Sequence, residues 1–421
     1  MRRILAITLV WLVVASCASN ASKERSVLYS TVPSRAVVVM HFGKLRPAVE
    51  FLLDSSSVFR GIDFGRLSHS EMILSYDYGA ALVPLLSIDA GHNSADTSSV
   101  VGSVIRQAES HGLYALYTAD MLPQRSALLL SPSRTAIEEA RIHIAEGSSI
   151  LDAPHFDEAL ALSEGKEGRI IFRNSSAVRW LPKTWFADIY SRRSVASFLS
   201  DAAEWMVLDF DNCKSDNIPV RFYGGDRKNY LCEFTKMLPS ARCLAARAVP
   251  DSASFVISLP LGDCGGYLKS WEECQDSRAM LSRYKGRLAA LGKRLGKRPA
   301  DWLASYAPKE LVRVRWDDKE VLLLRSAKKK RSSEPAENPF PGYIPALFGE
   351  AFRLQDDSFT AVSGAWTAFG SETAVSAWLE SVKCGEFKEL PGRIKYFVKA
   401  KELSIFADDK KVLLNVNRTR I

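Results

Sequence analysis

Eight cationic side chains fall within the 24 residues of 277–300, and no acidic residue lies between Asp276 and Asp301. They are Arg278, Arg283, Lys285, Arg287, Lys293, Arg294, Lys297 and Arg298. In the same stretch Tyr284, Leu288, Leu291 and Leu295 are spaced by four, three and four residues, which is one stripe of a helix. The spacing predicts an amphipathic helix with its apolar stripe docked and a basic face outward. Two readings of that face stand. It is a solvated surface, or it is an electrostatic contact with anionic lipid, lipopolysaccharide phosphate or an acidic envelope protein. Near an anionic surface each cation adds about 1 kcal/mol, so eight would have a large effect. A second run, Lys328-Lys329-Lys330-Arg331, leads into a Pro-rich stretch and reads as an exposed loop.

Other chemistry is thin. The G-x-S-x-G, H-E-x-x-H, P-loop and G-x-G-x-x-G signatures are absent. The six histidines, His41, His69, His92, His111, His143 and His155, include no i, i+4 pair, so a helical metal pair is excluded. His41 reads as structural. Asp209 and Asp211 could share one strand face, but no partner ligand or base is identifiable for them. Ser326-Ala327-Lys328-Lys329 has S-x-x-K spacing and runs into the loop, where a serine would lack a buried, oriented base. No catalytic residue, metal ligand or cofactor is assigned.

The N-terminus carries an address. Arg2 and Arg3 precede an apolar run over 4–14, too short for a bilayer at about 20 residues but suited to a signal-peptide core. Val14-Ala15-Ser16-Cys17 follows and resembles the lipobox of bacterial lipoproteins. The resemblance implies cleavage after residue 16 and a diacylglyceryl thioether on Cys17, with several acyl chains giving stable attachment. Residues 1–16 are then the signal peptide and 17–26 the lipidated cysteine and its tether. Ala18 stands where Asp would favour inner-membrane retention, so the expected place is the outer membrane, facing the periplasm. No later segment reaches transmembrane length. A content of 47% hydrophobic and 25% charged residues is globular, and a net charge of +8 does not make a nucleic-acid binder. Nucleic acid is also excluded as a partner by the compartment. Cys213, Cys232, Cys243, Cys264, Cys274 and Cys384 could pair in 15 ways or remain thiols.

The chain also repeats. The segment 32–40 (VPSRAVVVM) matches 249–257 (VPDSASFVI) at an offset of 217. Then 71–87 matches 310–326 at an offset of 239, each reading as a hairpin, with turns at Asp77-Tyr78-Gly79 and Asp317-Asp318. Thr135-Ala136-Ile137 matches Thr373-Ala374-Val375, each opening a helix after a strand, and 168–172 matches 392–396. The hairpin of 403–416 matches 205–222. Matches in one order point to duplication. The expected copies are 27–247 and an abbreviated 248–421, and the jump in offset, 239 minus 217, marks a 22-residue insertion near 275–299. Strands joined by short turns, with helices at intervals, give the fold class: α+β, two related lobes, mainly antiparallel sheets with packed helices.

A lipobox, a Val-Pro-Ser/Asp start to each copy, the Ser131-Pro132-Ser133-Arg134-Thr135 helix entry and 204–209 (EWMVLD) before Gly224-Gly225 together resemble uncharacterised two-copy lipoproteins of Bacteroides-type Gram-negative bacteria. That resemblance implies no activity and carries no catalytic residue. The expectation is a lipid-anchored, non-enzymatic binding or assembly module of the envelope. The rivals are an envelope hydrolase acting on glycan or peptide through carboxylates, and a chaperone-like factor with an exposed apolar groove.

Overall fold

Runs rich in Leu, Val and Ile fold into antiparallel hairpins in the computed structural model of the chain. The structure describes residues 26–44, 58–78, 82–91, 99–119, 122, 125–165, 167–181, 189–210, 217–225, 230–326, 334–382, 387–400 and 403–416. Cys17, Asp211, Cys213, Cys384 and the basic run 328–331 lie outside them. The chain divides into two compact units, Met1–Pro154 and His155–Ile421.

The first unit contains β1 (Val38–Phe42), β2 (Met72–Tyr78), β3 (Leu82–Gly91), α1 (Val100–Ser110), β4 (Tyr114–Tyr117), β5 (Ser126–Ser131) and α2 (Arg134–Glu146). The strand order is β4–β5–β3–β2–β1, antiparallel throughout. Asp77 and Tyr78, expected in a turn, are the last residues of β2 and pair with Val83 and Leu82. Ser99 and Ser133 cap α1 and α2 by accepting the amides of Gly102 and Ala136 at 3.0 and 3.3 Å. The apolar face of α1 (Val101, Val104, Ala108) closes over Leu74, Leu86 and Leu128 of the sheet.

The second unit opens with α3 (Phe156–Ala161), β6 (Gly168–Arg173), α4 (Ala177–Trp180), α5 (Ile189–Ala202), β7 (Trp205–Phe210), β8 (Asn217–Tyr223), α6 (Leu231–Met237) and β9 (Ala241–Arg242). Then come β10 (Phe255–Pro260), three helices α7 (Cys264–Ser277), α8 (Leu281–Leu295) and α9 (Pro299–Tyr306), and the hairpin β11 (Pro308–Trp316) and β12 (Lys319–Ser326). It ends with β13 (Ala336–Glu337), α10 (Tyr343–Phe348), β14 (Phe359–Ser363), β15 (Trp366–Gly370), α11 (Glu372–Ser381), β16 (Arg393–Ile394), β17 (Tyr396–Ala400), β18 (Leu403–Ala407) and β19 (Val412–Val416). Its sheet runs β13–β14–β15–β12–β11–β10–β17–β18–β19–β8–β7–β6, again antiparallel. Alternation along β11 fixes the two faces. Leu311 joins an aromatic core under α7–α10, while Val312, Val314 and Trp316 join a second core with Trp378.

The order β14–β15–β12–β11–β10 is the order β4–β5–β3–β2–β1 of the first unit. Both begin from the same turn: the Ala36 amide donates to the Pro33 carbonyl at 3.0 Å, and the Ala253 amide to Pro250 at 3.1 Å. The next bonds also correspond, Val37 to Tyr76 at 2.9 Å and Ser254 to Arg315 at 3.0 Å. Ser371 caps α11 as Ser133 caps α2. The compact units part after Pro154, whereas the two copies expected from the sequence would part after Arg247. The reason is the β8–β19 ladder, Val220 with Val412 through Asn217 with Asn415, which ties β6–β8 to the later strands. The mixed, antiparallel α+β class expected from the sequence is the class observed.

Candidate functional site

The basic segment is built on α7, α8 and the turn into α9. Asp263 starts α7 by accepting the Gly265 and Gly266 amides. Gly296, at φ 73°, ends α8 in the left-handed conformation, with Lys293 and Arg294 in its last turn, where cations suit the helix dipole. Pro299 then begins α9. The expected stripe is docked: Tyr284 is buried, and Leu281, Leu288, Leu291 and Leu295 pack against the aromatic core. Tyr284 Oη donates to the Leu347 carbonyl at 3.4 Å, and the Tyr343 hydroxyl donates to the Lys297 carbonyl, so α8 is tied to α10 by bonds as well as by contact.

The eight cations do not share one helix. Arg278 caps α7, five lie on α8, and Lys297 and Arg298 lie in the following turn. Arg278 pairs with Asp201 at 2.8 Å, Lys285 with Glu272 at 3.2 Å and Arg298 with Asp301 at 2.7 Å. Lys297 sits over the Phe340 ring at 5.7 Å. Arg283, Arg287, Lys293 and Arg294 are exposed and make no ion pair among the described residues. Arg287 and Arg294, two turns apart, line a hollow of about 590 Å³ between α8 and α10, together with Glu350, Arg353 and Asp357. Glu350 is taken by Arg353 at 2.7 Å, and Asp357 accepts the Gly342 amide at 2.6 Å.

Other polar clusters are internally satisfied. Asp209, buried in β7, accepts Ser163 Oγ at 2.6 Å, the Glu164 amide at 3.1 Å and Arg221. It is a structural acceptor. The four described cysteines, Cys232, Cys243, Cys264 and Cys274, are free thiols. Burial pushes Cys232 and Cys243 up to about 12 and Cys264 to about 11, which keeps them protonated and poorly nucleophilic at neutral pH. Among the described residues no three His, Cys, Asp or Glu side chains are placed to hold a metal ion. No helix among them is long and apolar enough to cross a membrane.

Sequence reasoning placed His41 in a structural role without finding its partners. Tyr29 Oη bonds His41 Nδ1 at 2.8 Å, and His41 Nε2 bonds Glu71 Oε1 at 2.6 Å. Burial alone would raise the Glu71 carboxyl, but His41, Ser26 and Arg125 together hold it below the ordinary range. A lowered carboxyl contributes stability that is present above its unfolded pKa and is lost as pH falls through its folded value. Glu71→Gln should therefore destabilise the first unit at neutral pH by about 1.5–3 kcal/mol, the worth of a charged hydrogen bond. The loss should shrink on acidification, as read by urea unfolding at a series of pH values.

Compared with protein-family models, with curated proteins and with solved structures, the chain matches none. Fold and geometry together define an α+β chain that presents a helix-borne cationic face.

Proposed function

We propose that this chain is a lipid-anchored protein of a bacterial envelope, non-enzymatic, and that α8 holds it against an anionic lipid or lipopolysaccharide surface. The observation that carries the reading is the set Arg283, Arg287, Lys293 and Arg294. They face outward from a helix locked by its apolar stripe, and no described carboxylate neutralises them. A rigid scaffold matters because ordering long cationic side chains costs entropy that a docked helix has already partly met. The signal-like residues 1–17, with Cys17 in a lipobox-like context, supply the anchor in this reading. Two anchoring elements, acyl chains plus a basic patch, give stable attachment. The recurring strand order supports the view that the chain is two related copies, akin to the two-copy lipoproteins it resembles. Protonated thiols and an Asp209 already saturated with donors support a binding role over hydrolysis.

The test uses the purified chain carrying Cys17→Ala, so that no acyl chain inserts, and vesicles of phosphatidylcholine with and without phosphatidylglycerol. Sedimentation should show binding only to the anionic vesicles, falling as salt is raised. Changing Arg283, Arg287, Lys293 and Arg294 to Gln should weaken it by up to about a thousandfold, four cations at about 1 kcal/mol each. Equal binding by this variant would overturn the reading. If the chain ignores anionic vesicles but cross-links in intact cells to one protein, and the variant does not, α8 is a protein-docking face instead.

A further inference from the structure

A second, larger opening lies on the same unit. It is a cleft of about 1310 Å³ between the β10–β11–β17 face of the sheet and helices α5, α6 and α7. Ile257, Leu259 and Val398 form its floor, and Phe234, Trp271 and Phe348 line its sides. Such a wall takes up an apolar body. It also carries polar tips that the protein leaves unused. Tyr267, Trp271 and Gln275 recur every fourth residue on one face of α7 and are 5%, 9% and 6% exposed. Among the described residues neither the Tyr267 hydroxyl, the Trp271 indole N–H nor the Gln275 side-chain amide has a protein hydrogen-bond partner. These three are not among the unpartnered polar atoms shut away from solvent; they open into the cleft, where a bound molecule would supply polar atoms.

Charge identifies the polar end. Seven cationic and five acidic side chains border the cleft. Four of the acids are held by cations: Asp201 by Arg278, Asp318 by Lys319, Glu320 by Arg313 and Glu350 by Arg353. The fifth, Asp356, accepts the Ser358 amide at 2.9 Å. Arg287 reaches the cleft without an ion pair among the described residues, and Arg278 lies one turn beyond Gln275.

We infer that this cleft binds a single-chain amphiphile with an anionic headgroup, the chain along Ile257, Leu259 and Phe234 and the headgroup at Gln275, Arg278 and Arg287. This site shares Arg287 with the cationic face of α8, but Arg283, Lys293 and Arg294 do not border it. The purified full chain is titrated with dodecanoate, dodecyl phosphate and the neutral dodecanol by calorimetry. Both anions should bind saturably and about tenfold more tightly than the alcohol, the effect of one charged hydrogen bond. Gln275→Leu and Arg287→Gln should each weaken dodecanoate by about three- to tenfold while melting at the parent temperature. Lys293→Gln should leave dodecanoate binding unchanged even as it weakens vesicle binding, which separates this proposal from the surface reading. No saturable uptake, equal affinity for the alcohol, or binding indifferent to both cleft variants would overturn the inference.

Discussion

Trp378→Ala should lower the stability of the second unit by about 3–5 kcal/mol, the range for truncating a buried tryptophan. The side chain is fully buried in α11, within the core that holds Val312, Val314, Trp316 and Phe397. Its indole N–H donates to the Ala248 carbonyl at 2.8 Å, across 130 residues of sequence. Truncation removes the packing, leaves a cavity in a close-packed interior and strands that carbonyl. Trp378→Phe keeps most of the volume and loses the bond, so it should cost about 1–3 kcal/mol. Urea unfolding followed by far-ultraviolet circular dichroism gives both numbers. Amide exchange along β10 and β11 assigns the loss to the second unit, since a two-unit chain need not unfold in one step. Equal losses in the two variants would mean that the hydrogen bond alone accounts for the effect.

The surroundings of Trp378 were in part legible in the sequence. The helix it sits on opens at Ser371, the expected counterpart of the Ser133 entry, and both serines cap as their type requires. Local signals of this kind fix elements: turn residues between apolar runs gave the hairpins, and the Tyr284 stripe gave the docked face of α8. Pairing between distant strands is a different matter. Nothing local in Asn217 or Val412 says that β8 and β19 adjoin, yet that ladder decides where the compact units part. The site divides in the same way. Its cations were legible because charge is a residue property. Which of them are neutralised was not, because Asp201 meets Arg278 only through the fold. The cleft was illegible for that reason too: Tyr267, Trp271 and Gln275 form an ordinary helix face until the sheet opposite them is known.

The largest polar effect is expected at Glu310, in β11. Only 1% exposed, its carboxylate accepts the Leu244 amide at 2.9 Å, Ser258 Oγ at 3.0 Å and Cys243 Sγ at 3.1 Å. Glu310→Ala strands three donors in the interior and should cost about 3 kcal/mol or more, since each unsatisfied buried group costs about 1–3. Gln at this position keeps an acceptor for the Leu244 amide and offers its NH₂ to the Ser258 hydroxyl, so Glu310→Gln should cost far less. The two variants also separate by pH. Burial raises the Glu310 carboxyl above its ordinary value of 4.5, and the three donors only partly offset this. A carboxyl raised by folding contributes stability that is complete below its unfolded pKa and is lost as pH rises through its folded value. Above pH 4.5 the parent should therefore lose stability that the Gln variant keeps, and the gap between them should move in favour of Gln as pH rises. Parallel pH profiles would show that the carboxylate is not desolvated. Cys243 supplies an independent reading. Burial and the Glu310 charge push its thiol up to about 12. Removing that charge lowers the thiol pKa, so alkylation of Cys243 by iodoacetamide at mildly alkaline pH should run faster in Glu310→Gln than in the parent, although the Gln variant remains folded.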